Sequence, residues 1–173
     1  MSSQGSQLIT NIRVGQGFDI HRFSDDPGRP LILGGVIFPD APGLSGHSDA
    51  DVIAHAVADA LLGAAGLGDI GEHFPDTDPQ WKNADSLKIL ENVAAKVRGH
   101  GWSIGNVDCS VVCEMPKLAP HREAMQQNLS RVIDAPVTVK GRRAEGLGAL
   151  GRGEGIACWT VAVMYYLLDR SEI

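Results

Sequence analysis

The segment from Asp49 to Ala65 constrains the fold more than any other, because almost every residue in it is Ala, Val, Leu or Ile. Its spacing predicts a helix. Ser48 with Asp51 three residues later makes a variant capping box at the start, and Gly66 supplies a stop. The polar exceptions Asp51, His55 and Asp59 recur every four residues and so share one face. A helix this apolar has to be packed between layers, and polar groups inside such packing need a reason to be there.

The layers can be read from the flanking segments. Arg13 to His21 reads as a strand with polar groups at its end, and Leu31 to Phe38 as a second strand interrupted by Gly34-Gly35; the two are expected to pair as a hairpin. Gly68 to Pro79 is dense in turn formers and reads as a loop without regular structure. Ser86 to Arg98 carries Leu87, Leu90, Val93, Ala94 and Val97 on one stripe before Gly99, which predicts an amphipathic helix. Val107, Cys109, Val111 and Cys113 alternate with polar partners as in a half-buried strand, ended by Met115-Pro116-Lys117. A helix over His121 to Ile133 follows, then strands over Val137 to Lys140 and Ile156 to Leu168. This order predicts an α+β fold, an α/β sandwich with one β-sheet and helices packed on one face. We expect one domain over 12–168, with a disordered N-terminal tail over 1–11 and a short C-terminal tail over 169–173.

Composition narrows the function. A net charge of −6 with no long basic run argues against nucleic acid as a partner. The opening residues have neither a basic region nor an apolar run, and no apolar stretch approaches a membrane span, so a cytoplasmic location is expected. Cys109, Cys113 and Cys158 form no Cys-x-x-Cys pair and read as small core residues.

Chemistry concentrates in three places. In Asp19-Ile20-His21 a spacing of two puts carboxylate and imidazole on one side of a strand. If the Asp49–Ala65 helix packs there, Asp19, His21 and His55 make a three-ligand metal set with an open position, and Asp51 or Asp59 could steady the imidazoles. Hydrogen-bonded core histidines are the plainer alternative. His47-Ser48-Asp49-Ala50-Asp51 stands at a helix start, where backbone N–H groups favour an anion or an ordinary cap. Arg142, Arg143, Glu145 and Arg152-Gly153-Glu154-Gly155 read as a loop offering guanidinium forks and amides to phosphates, or as a solvated turn. Gly146-x-Gly148-x-x-Gly151 matches a dinucleotide fingerprint but leaves no room for the βαβ unit that would use it.

Taken together, Gly17-Phe18-Asp19-Ile20-His21, Gly46 to Asp51 with His55, Gly68 to Gly71 with Phe74 to Asp78, Pro116-Lys117 and Gly151 to Gly155 resemble the motifs of the 2-C-methyl-D-erythritol 2,4-cyclodiphosphate synthases. The resemblance implies a homotrimer with an active site at each subunit interface. It implies zinc on Asp19, His21 and His55, and magnesium or manganese bridging the diphosphate with help from Glu145. His47 and Ser48 would touch the methylerythritol phosphate, while Asp69, Ile70, Gly71, Phe74, Asp76 and Asp78 would border the sugar. Cys113, Met115, Pro116, Lys117 and Leu118 would form the cytosine pocket, with Arg142, Arg143, Ala144, Glu145, Ala149 and Arg152 on the phosphate side. His47, Arg143 and Glu145 would be the catalytic groups. The implied reaction closes 4-diphosphocytidyl-2-C-methyl-D-erythritol 2-phosphate into a cyclic diphosphate and releases CMP, a step of the non-mevalonate isoprenoid pathway.

Three positions depart from that pattern. Arg142-Arg143-Ala144 stands where consecutive threonines are common, Ala149 where an aromatic lines the trimer channel, and Trp159 where an acidic partner for Arg152 is common. Two other readings remain open: a metal-dependent phosphoesterase that activates water, and a metal-binding trimer without turnover.

Overall fold

The computed structural model describes residues 7–169. A four-stranded sheet runs in the order β1 (Gln7–Arg22), β6 (Gly155–Asp169), β4 (Ser103–Val112) and β5 (Val137–Arg142). β6 is antiparallel to both β1 and β4, and β4 is parallel to β5. The parallel pair needs a crossover, which the helix α4 (Arg122–Ile133) provides. Helices α1 (Val52–Ala65) and α3 (Ser86–Gly99) complete a layer over one face, giving the expected α+β arrangement.

The small residues of β1 explain how closely the layers approach. A Cβ at Gly15 would lie 1.9 Å from the Ala60 carbonyl oxygen, and one at Gly17 would lie 1.9 Å from that of Ala56. No side chain fits there, so α1 rests its backbone directly on the strand. The opposite face of α1 meets α3 through Leu90, Val93, Ala94 and Val97, all fully buried. The three cysteines are buried free thiols, as expected. On the far face of the sheet Val14, Phe18, Ile20, Trp159 and Val161 remain exposed, each at 40% or more.

Several expectations are corrected. Gln7 to Asn11, expected in a disordered tail, form the start of β1, with Gln7 to Thr10 paired to the end of β6 and Asn11 in an irregularity at φ of 49°, and Asp169 belongs to β6. The remainder of both expected tails lies outside the described residues. The hairpin between the first two predicted strands does not form. Gly34 and Gly35 both adopt positive φ, 55° and 69°, and turn the second strand back on itself as β2 (Pro30–Leu33) and β3 (Val36–Pro42), a separate two-stranded sheet. The loop after α1 holds two short helical turns, α2 (Ile70–His73) and a 3₁₀ turn over Pro79–Trp81, because Asp69 and Asp78 cap them. A further short helix, α5 (Gly148–Gly151), interrupts the Gly- and Arg-rich loop.

Candidate functional site

Asp19 and His21 lie on the same face of β1 as Gly15 and Gly17, so the packing that seats α1 also delivers His55 to them. Asp19 Oδ2 is 2.9 Å from His55 Nδ1 and 3.0 Å from His21 Nε2, and the two imidazole nitrogens are 3.4 Å apart. One donor atom from each residue falls within a 4.8 Å cluster. An oxygen and two nitrogens facing a common centre are the donor set of a divalent cation site, and this group could hold one.

Electrostatics agree with the geometry. Burial raises the Asp19 carboxyl, but hydrogen bonds and charge from His21 and His55 outweigh it and hold the group well below the usual carboxylate range. Burial lowers the His21 imidazole, and its contact with Asp19 more than reverses this, so His21 sits above the usual value. The outer ring atoms are also engaged. His21 Nδ1 is 2.8 Å from the Ser45 carbonyl, and His55 Nε2 lies 2.8 Å from Ser86 Oγ and 3.1 Å from Ser48 Oγ.

The other two polar residues on the His55 face have different jobs. Asp51 is fully buried and is the N-cap of α1, accepting from Ile53 N and Ala54 N at 3.1 and 3.2 Å, and from Gly34 N and Gly35 N at 2.9 and 2.7 Å. It replaces Ser48 as the cap, so at the helix start, where an anion or an ordinary cap was expected, the backbone N–H groups of Ile53 and Ala54 are met by an ordinary cap. Asp59 accepts from Ile70 N at 3.4 Å. Neither steadies an imidazole. Ser45, Ser48 and Ser86 do so instead.

A cavity of about 480 Å³ opens in front of the cluster, lined by His21, His47, Ser48, His55, Ile70, Gly71, Phe74, Asp76, Trp81 and Ile89. Asp69 and Asp78 cap the turns beside it, and the Asp78 carbonyl is 3.0 Å from His47 Nε2. A second cavity of about 280 Å³ is lined by Cys113, Glu114, Pro116, Lys117, Leu118, Arg122, Arg142 and Arg143. The two share no lining residue, so within one chain the nucleotide-type and metal-type residues are not brought together. Met115, joined to Pro116 by a cis peptide, is 60% exposed beside the second cavity. The Ala144 N–H donates to Glu114 Oε1 at 2.9 Å, while Glu145 is exposed with φ of 52°. Ala149 is exposed on α5. Arg152 pairs with Glu154 at 2.6 Å, and Trp159 packs against Phe18 with ring centroids 4.8 Å apart.

Sequence reasoning missed Ser86, Trp81, Glu114 and Arg122. Ser86 announces only the start of a helix, and nothing local tells that this start faces His55. Trp81 could have been noticed as a large aromatic after a turn.

The sandwich and its cluster define a protein of α+β class with a candidate metal centre at the mouth of a cavity. Residues 12–165 match the YgbB family, and the chain belongs to it. It is 52% identical to a 2-C-methyl-D-erythritol 2,4-cyclodiphosphate synthase of Synechococcus elongatus over 90% of this chain and 98% of that one. Among solved structures, it is similar to the bifunctional IspDF from Campylobacter jejuni (TM-score 0.86, 43% identity), covering 95% of this chain and 44% of that longer one. It is similar also to the CDP complex of IspF from Plasmodium falciparum (TM-score 0.78, 33% identity), covering 90% and 97%. Among the described residues no helix is long and apolar enough to cross a membrane.

Proposed function

We propose that this chain is an enzyme that converts 4-diphosphocytidyl-2-C-methyl-D-erythritol 2-phosphate to 2-C-methyl-D-erythritol 2,4-cyclodiphosphate with release of CMP. The observation that carries the reading is the convergence of Asp19, His21 and His55 beside a cavity with room for a sugar phosphate. The names of the relatives agree with it, as does the CDP held by the Plasmodium falciparum structure.

The donor set suits zinc, and Glu145 suits magnesium or manganese as a hard carboxylate ligand. Divalent cations supply positive charge for phosphate oxygens, which is most of what phosphoryl transfer requires. In this reading His47 and Ser48 bind the attacking phosphate at the first cavity, while Ile70, Gly71, Phe74 and Asp76 shape the sugar subsite and Asp69 and Asp78 hold its rim. The cytosine ring rests against Cys113 to Leu118. Arg142 and Arg143 take the place of hydroxyl donors and fork onto the phosphates. Glu145, held at positive φ before the exposed Gly146, presents its carboxylate outward. No protein nucleophile takes part: a phosphate oxygen forms the new P–O bond, and the bond to CMP breaks.

The two half-sites would meet across subunits of a homotrimer in the cytoplasm. The exposed apolar surface around Val14, Phe18, Trp159 and Val161 supports this, since patches of that kind mark contact surfaces. Light scattering should give three times the 18.4 kDa chain mass. The deciding test of the reaction is to incubate the protein with the cytidyl substrate, zinc and magnesium. CMP with the cyclic diphosphate is expected; a linear hydrolysis product would instead identify a phosphoesterase, and bound zinc without turnover a silent metal protein.

A further inference from the structure

His21 and His55 enter the cluster through different ring atoms. His21 offers Nε2, and its Nδ1 faces the Ser45 carbonyl at 2.8 Å, which can only accept, so Nδ1 keeps its hydrogen and Nε2 is the nitrogen that gives up a proton to a cation. His55 offers Nδ1 and turns Nε2 to the hydroxyls of Ser86 at 2.8 Å and Ser48 at 3.1 Å. A hydroxyl both donates and accepts, so these contacts alone leave the His55 tautomer open.

Asp49 closes the choice. Its carboxylate accepts from the Ser86 backbone N–H at 3.1 Å and from the Ser86 hydroxyl itself. A carboxylate has no hydrogen to return. The Ser86 proton is therefore committed to Asp49, and the lone pair left on Oγ must accept from His55 Nε2–H. A cation that displaces the Nδ1–H donated to Asp19 at 2.9 Å then meets the Nδ1 lone pair, while Nε2 keeps its hydrogen on Ser86. Ser86 is 1% exposed and is the first residue of α3, whose N-cap is Asp85, so its hydroxyl is not needed to start that helix. We propose that Ser86, oriented by Asp49, is a positioning residue that fixes His55 in the tautomer offering Nδ1 to a divalent cation. The inference rests on the metal reading of the cluster.

The test is zinc affinity of the full chain by chelator competition, with cobalt(II) absorption as a second reporter of ligand geometry. Ser86→Ala should bind zinc about 10–100-fold more weakly, the usual effect of losing a partner behind a ligand, while the hydroxyl kept in Ser86→Thr should hold affinity within about threefold of wild type. The cobalt bands should shift in Ser86→Ala and not in Ser86→Thr. A purely structural role would instead lower the melting temperature of the metal-free protein and leave zinc affinity unmoved. Should Ser86→Ala not fold, Asp49→Asn asks the same question, because an amide can donate to Ser86 and turn its proton toward His55. Zinc binding within about threefold of wild type in Ser86→Ala, or in Asp49→Asn if that is the variant that folds, overturns the relay. Wild-type protein that takes up no zinc overturns the metal reading itself.

Discussion

The wall that carries the candidate metal centre and the loop that carries the arginines are built on opposite principles. In the first, Gly15 and Gly17 let α1 sit on β1 backbone to backbone, and each polar atom of the cluster has a partner behind it. In the second, Glu145, Gly146, Gly148 and Gly153 adopt positive φ between 52° and 76°, and Arg142, Arg143 and Glu145 extend into solvent. The contrast matches the two tasks proposed for them. Ligands for one cation must be held within tenths of an ångström before it arrives, whereas a diphosphate is met by charges that settle around it.

The largest effect should separate the two regions outright. His55→Ala is expected to exceed the roughly 100-fold loss of metal affinity typical of a partner behind a ligand, and to abolish turnover while the protein stays folded. Zinc titration and CMP release check both; unaltered activity would remove His55 from the site. Arg143→Ala should do the reverse, lowering turnover by about 10²–10³-fold, as for a lost donor to developing charge, with zinc affinity unchanged. A matching loss of zinc would join what we have described as separate.

Glycine substitutions sharpen the same division on stability. Gly17→Ala drives a methyl into the Ala56 carbonyl and should destabilise by about 3 kcal/mol, at the upper end for an overpacked core, while also weakening zinc binding. Gly146→Ala meets nothing within 4 Å at φ of 76°, so it should lose only about 1 kcal/mol through backbone strain, with zinc binding intact. Urea unfolding of both variants gives the comparison directly.

How much of this could be read from the sequence follows the same boundary. Asp19 and His21 two apart, and His55 in an apolar helix, carry local periodicities that survive folding, so the cluster was legible before its distances were known. What could not be read is what depends on two segments meeting. Asp51 has the same spacing from His55 as Asp59, yet it caps α1 and braces the Gly34-Gly35 turn. Ser86 reaches His55 only because α3 packs across α1. The Gly15/Gly17 pair and the Ala56, Ala60, Ala64 row were a readable sign of close packing that periodicity alone passes over. The pairing of Arg152 with Glu154 is another local answer that attention to Trp159 obscured.

The smallest expected effect concerns the metal-free cluster and pH. Asp19 ionises more readily in the folded chain than in the unfolded one, so its contribution is present above the ordinary carboxylate pKa and is lost as pH falls through the lowered folded value. His21 holds its proton more tightly when folded, so its contribution is present below the ordinary imidazole pKa and is lost as pH rises through the raised folded value. Metal-free protein should therefore gain from this pair between roughly pH 4 and 6.5. The gain should be on the order of 1 kcal/mol because both groups keep some contact with water. Melting curves of wild type and His21→Gln across that range isolate the contribution of the pair. Saturating zinc should reverse the upper side of the profile, where metal-free protein loses stability as His21 gives up its proton, since the cation binds the lone pair that the proton leaves. The Arg143→Ala protein, altered only in the loop, should follow the wild-type profile throughout; a change there would mean that the two regions are coupled through the fold and not merely adjacent in function.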